Sequence, residues 1–185
     1  MLNRIAVLAL ACFVWAGALQ AQEAGSASGK GTMERIVDPR TGQSEQVTFQ
    51  PRHSFAYSGT VAGMKFTWLV LTDKEPPLKT WAAAKDRAEA QRLWCGTEKA
   101  SFVSVQLDKD WKVYAYYLCP ANGAVSTQML STFNGLDSVV LDFEVRDAKK
   151  LKGTLRTGDG ACGNDEEMTY CTPTGDYTFD APLVK

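Results

Sequence analysis

The sequence predicts a mainly β (α+β) domain: an antiparallel β-sandwich or curled sheet with one helix packed on it. Three observations carry that expectation. Period-two runs recur, the cleanest at Val139, Leu141, Phe143 and Val145, with Asp142, Glu144 and Arg146 on the other face. Turn residues separate these runs. Only the stretch from Leu78 to about Trp94 changes to Ala, Lys, Arg, Glu, Gln and Leu, the strong helix formers.

In chain order, residues 1–21 come first. Arg4 precedes an apolar run from Ile5 to Leu19 that ends among Ala16, Gly17, Ala18 and Ala21, the layout of a cleaved secretory signal. The run is about 15 residues, short of the roughly 20 a membrane-spanning helix needs. No stable membrane anchor is therefore expected after cleavage, and Cys12 leaves with the signal. Residues 22–32 carry almost no bulky side chain and read as a flexible leader. A single β-rich domain is expected over 33–185.

Asp38-Pro39-Arg40-Thr41-Gly42 is turn chemistry between Glu34–Val37 and Gln46–Phe49, which predicts a first hairpin. His53–Tyr57 alternates, and Phe66–Leu71 is an apolar run fit for a central strand. Pro76-Pro77 then opens the helix, with Leu78, Trp81, Ala84 and Ala88 on one face and Gly96 as its stop. Asp73 and Glu75 precede it, where a carboxylate caps or favours the dipole. Residues 101–107 and 112–118 flank Asp108-Lys109-Asp110 as a hairpin that sets Cys119 about opposite Ala100. Leu151–Arg156 and Tyr177–Phe179 read as paired strands.

The mature chain of 164 residues, residues 22–185, keeps 19 basic and 21 acidic side chains, because Arg4 is the one charge lost. The net charge near −2, with Lys and Arg scattered, argues against nucleic acid and against docking on anionic lipid. Export implies a periplasmic or secreted location where disulfides persist. Four of the five cysteines remain: Cys95, Cys119, Cys162 and Cys171. Loop entropy is worth about 3 kcal/mol for ten residues and about 4.5 for eighty, so it cannot select a pairing. Hairpin register favours Cys95–Cys119 and Cys162–Cys171. Zinc is not expected, since no two of these cysteines are closer than nine positions and His53 is the one histidine.

Leu71-Thr72-Asp73 followed by Pro76-Pro77, Gly153-Thr154-Leu155, and the closing Tyr177-Thr178-Phe179-Asp180-Ala181-Pro182-Leu183 resemble a family of small exported bacterial β-rich proteins without an assigned function. The resemblance runs over 33–185 in element order and implies the fold, not an activity. The acidic segment around Cys162 and Cys171 departs from the family pattern.

The sequence points to no catalytic residue, no cofactor and no metal. His53 is the one available histidine base, and no Gly-x-Ser-x-Gly elbow occurs. Asp142 and Glu144 could serve glycoside chemistry, but two residues apart on one strand they fit a solvated face better. Asp159, Asn164, Asp165 and Glu166 offer oxygens to calcium without EF-hand spacing, so a soluble hairpin tip is the expectation. Trp111, Tyr114 and Tyr116 form a candidate binding surface. Strict alternation puts Tyr114 and Tyr116 on one face and Tyr117 on the other. The reading that follows is an exported non-enzymatic binding protein whose partner is another protein or an envelope component. One form is a periplasmic inhibitor or immunity protein against an envelope-acting hydrolase. The alternatives are a carboxylate- or metal-based envelope hydrolase and a small-ligand carrier.

Overall fold

In a computed structural model the described residues are 23–38, 40–83, 94, 100–121, 130–131, 139–158, 162–165, 168–171 and 174–184. The expected signal over 1–21 lies outside them. The strands are β1 (Gly25–Asp38), β2 (Gln43–Phe49), β3 (His53–Val61), β4 (Met64–Thr72), β5 (Phe102–Leu107) and β6 (Val113–Cys119). They continue as β7 (Leu130–Ser131), β8 (Val139–Arg146), β9 (Lys150–Thr157), β10 (Cys162–Asp165), β11 (Met168–Cys171) and β12 (Gly175–Val184). Ten strands share one sheet in the order β7-β6-β5-β4-β3-β1-β12-β9-β8, with β2 on β1; β10 and β11 pair separately. Every pairing is antiparallel except a short parallel meeting of β3 and β12 at Ala56–Leu183 and Tyr57–Val184.

The sheet curls into a half-barrel, and side-chain parity explains how. The inner-face residues Ala56, Leu69, Leu71, Val103, Val105, Leu107, Tyr116 and Leu118 join Leu151, Leu155, Tyr177, Phe179 and Ala181 from the other end of the strand order in one buried cluster. Their neighbours Phe55, Tyr57, Phe66, Trp68, Val70 and Phe102 face the opposite way and meet Leu78, Trp81 and Trp94. One half of the sheet is thus buried on both faces, which is why β4 reads as a continuous apolar run, while β5 buries Ser104 and Gln106 on its second face.

The expected mainly β, curled-sheet class is present, with the first hairpin in register from Glu34–Gln46 to Met33–Val47. A second hairpin joins β3 to β4 through Ala62 and Gly63, whose φ of 48° and 81° are those of a twist-matched two-residue turn. Of the helix expected over 78–94, α1 (Leu78–Ala83) is described, and residues 84–93 lie outside the described set. Asp73 does not cap it. Its Oδ1 instead accepts from the Ser101 amide at 2.9 Å, tying the end of β4 to the start of β5.

The flexible leader is overturned. From Gly25 the chain is strand, with Ala27–Gly31 laddered to β12 and Gly25–Ser26 to β3. Composition misleads here because the small residues serve close approach. A Cβ at Gly25 would overlap the Asp180 carbonyl oxygen, and one at Gly29 the Asp176 carbonyl oxygen. Gly29 also has φ +119°, which side chains rarely adopt.

Candidate functional site: the hairpin end of the sheet

The tips of the β3–β4 and β5–β6 hairpins bring the candidate residues together, and a bulge decides which of them reach the surface. Leu107 pairs with Val113 and Gln106 with Ala115, so Tyr114 is the extra residue. Alternation breaks there. Tyr114 joins Tyr117 on the outer face, and Tyr116 turns inward. The hairpin register consequently sets Phe102, not Ala100, opposite Cys119.

Tyr116 is therefore not part of a binding surface: it is fully buried in the inner core. Tyr114 is 43% exposed, and its ring lies 4.9 Å from Phe66. Across the β3–β4 ladder Gly59 faces Phe66 and Val61 faces Met64. Opposed residues share a face, so Val61, Met64 and Phe66 lie on the same side of the sheet, and the buried Phe66 joins Tyr114 to the Tyr57–Trp68 stack. Val61 and Met64 are 46% and 50% exposed. Sequence alternation had no means of finding them, because exposure at a hairpin tip depends on how the sheet curls around it.

Trp111 sits at the tip of the β5–β6 hairpin with φ 65°, a strained position for a bulky side chain. The loop over-determines it. Asp108 Oδ1 accepts from the amides of Asp110 (2.8 Å) and Lys112 (2.9 Å), and the Trp111 amide donates to the Asp108 carbonyl at 3.0 Å. The indole packs edge-on to Phe143 at 6.2 Å and lies 5.6 Å under the Arg146 guanidinium. Trp111 thereby closes the half-barrel across to β8. Beside it a groove of about 450 Å³ is lined by Ser58, Thr60, Lys65, Thr67, Asp108 and Trp111, among others.

Inside the half-barrel is a feature that sequence reasoning missed. Gly31 and Gly175 are paired, and a Cβ on either would overlap the Tyr177 ring or hydroxyl; the two glycines make the recess that holds it. The hydroxyls of Tyr116, Thr157 and Tyr177 are buried and make no hydrogen bond of good geometry. Burial raises the Tyr116 pKa well above the ordinary tyrosine value, the nearby Tyr177 raises it further, and the Thr157 hydroxyl offsets part of this. Burial likewise raises Tyr177. On the outer face Tyr117 donates to Gln106 Oε1 at 2.9 Å, and its pKa is raised by burial and then by Tyr114.

The remaining candidates are dispersed. Asp142 and Glu144 are exposed on β8 and ion-paired with Arg156 (3.0 Å) and Lys152, the latter's pKa being raised by its bond to Glu144. They line no cleft together. His53 opens β3 opposite Thr72. Cys119 is buried at the end of β6; Cys95 lies outside the described residues. Cys162 and Cys171 face each other in the β10–β11 ladder. Of the calcium candidates, Asn164 and Asp165 lie on β10 opposite Thr169 and Met168, while Asp159 and Glu166 lie outside the described residues. Among the described residues no group of three or more His, Cys, Asp or Glu gathers as metal ligands.

No family model, curated protein or solved structure matches this chain.

Proposed function

We propose that this is an exported, non-enzymatic binding protein that holds another protein at the hairpin end of its sheet. Its most concrete form is a periplasmic inhibitor or immunity protein against an envelope-acting hydrolase. The observation that carries the reading is the exposed trio Val61, Met64 and Tyr114 at the hairpin tips, with Tyr114 seated on the buried Phe66. Aromatic and Met side chains on a rigid frame are the residue types that anchor protein interfaces at low entropic cost. The export reading rests on Arg4 and the apolar run after it.

The test is capture from envelope extract by the immobilised mature protein, followed by assay of the captured hydrolase with and without it. Capture of a hydrolase and its inhibition are expected. Met64→Ala with Tyr114→Ala should weaken binding tenfold or more, a loss of about 1.4 kcal/mol or more, while thermal stability barely moves. No inhibited partner, together with real turnover by this protein in a hydrolase screen, would overturn the reading in favour of an envelope enzyme.

A further inference from the structure

We infer that residues 25–31 of β1 are an exchangeable strand, and that the slot between β3 and β12 accepts the same segment from a second copy of this chain. The segment is held by its backbone and contributes little to the core. Ala27 is its one buried apolar side chain, while Ser26, Ser28, Gly29 and Lys30 are exposed. Its attachments are main-chain and hydroxyl bonds. The Ala27 amide donates to the Arg52 carbonyl at 3.0 Å, Ser54 Oγ donates to the Ser26 carbonyl at 2.7 Å, and the Ser28 and Thr178 hydroxyls meet at 2.6 Å. Segments with few apolar contacts open locally at low cost. Every one of these bonds re-forms unchanged when the segment enters a second copy, which is the condition for strand swapping.

Two further features favour exchange over unfolding. β3 and β12 also pair directly at Ala56–Leu183 and Tyr57–Val184, so the sheet does not split when the segment leaves. Gly31 is where β1 passes from β12 to β2, pairing with Gly175 on one side and Phe49 on the other, and its missing side chain suits a hinge. The occupant follows from sterics. Cβ atoms at positions 25, 29 and 31 would overlap the Asp180 carbonyl, the Asp176 carbonyl and the Tyr177 hydroxyl. An entering strand needs glycine at all three positions, and this chain carries that pattern.

The experiment mixes two full-length mature variants, Ser28→Cys and Thr178→Cys, whose positions are direct partners in the β1–β12 ladder. After a brief denaturant pulse and return to native buffer, the mixture is oxidised and the linked peptides are identified. The double variant S28C/T178C should cross-link within one chain, which verifies that the substituted strand folds in register. The mixed sample should yield a dimer joined through positions 28 and 178, at least tenfold more abundant than in a mixture of Thr60→Cys with Thr178→Cys, which are not partners. Light scattering on the unaltered protein should show a species of twice the monomer mass that increases with concentration. A 28–178 dimer no more abundant than the control would overturn the inference.

Discussion

Tyr116 and Tyr177 carry the most telling chemistry of any single residues here, because their hydroxyls are buried without well-formed hydrogen bonds. A neutral phenol is tolerated in that setting and a phenolate is not. Both pKa values are raised above 10.0 in the folded protein, so the folded state holds its protons longer than the unfolded chain does. The stabilisation is therefore complete below about pH 10 and is lost as pH rises toward the folded values. Urea unfolding should show stability falling above pH 10 by up to about 1.4 kcal/mol per pH unit for each tyrosine. Tyr177→Phe should flatten that fall. At neutral pH the same change should be neutral or stabilising by about 1 kcal/mol, since it removes an unpaired buried hydroxyl. A steeper alkaline loss in the Phe variant would contradict the assignment.

At the scale of the element, β1 teaches the most. Gly-Ser-Ala-Ser-Gly-Lys-Gly has the composition of a linker, yet its backbone is laddered to β12 and β3. Deleting residues 22–31 should lower the thermal midpoint by 5 °C or more, whereas removal of a true leader would leave it unchanged. Gly29→Ala alone should cost about 1–3 kcal/mol, from the positive φ and the Asp176 carbonyl. The β10–β11 ladder bears on the cysteines in the same way. Directly opposed antiparallel residues have Cα atoms about 4.5–5.5 Å apart, within disulfide range. Proteolysis of the oxidised mature protein should release linked Cys162–Cys171 and Cys95–Cys119 peptides with no free thiol. A Cys95–Cys162 or Cys95–Cys171 peptide would refute the pairing.

For the whole molecule, Trp111 is the clasp that joins the two ends of the strand order. Its ring meets Phe143 and Arg146 on β8, while its backbone belongs to the β5–β6 turn. Trp111→Ala should cost about 2–3 kcal/mol and speed amide exchange along β8 relative to β4. Trp111→Gly should be milder than Trp111→Ala by about 1 kcal/mol, since glycine accepts φ 65° without strain. Equal losses would mean that the turn stores no strain.

What the sequence determined by itself were the properties written in short-range patterns. The alternation of Val139, Leu141 and Phe143, the turn at Asp38–Gly42 and the Asp108–Asp110 turn each appear where expected, because period and turn chemistry act over a few residues. Beyond Phe143 a bulge shifts the register and brings Arg146 over the Phe143 and Trp111 rings. Tertiary structure alone decided the rest. One inserted residue at Tyr114 sent Tyr116 into the core and broke the predicted tyrosine face, since a bulge inverts parity without leaving a mark in composition. The glycines of β1 became a strand because a neighbouring backbone came too close for any side chain. The exposed strip at Val61 and Met64, and the union of Trp111 with Phe143, depend on how far the sheet curls, and that is fixed by contacts between residues distant in sequence.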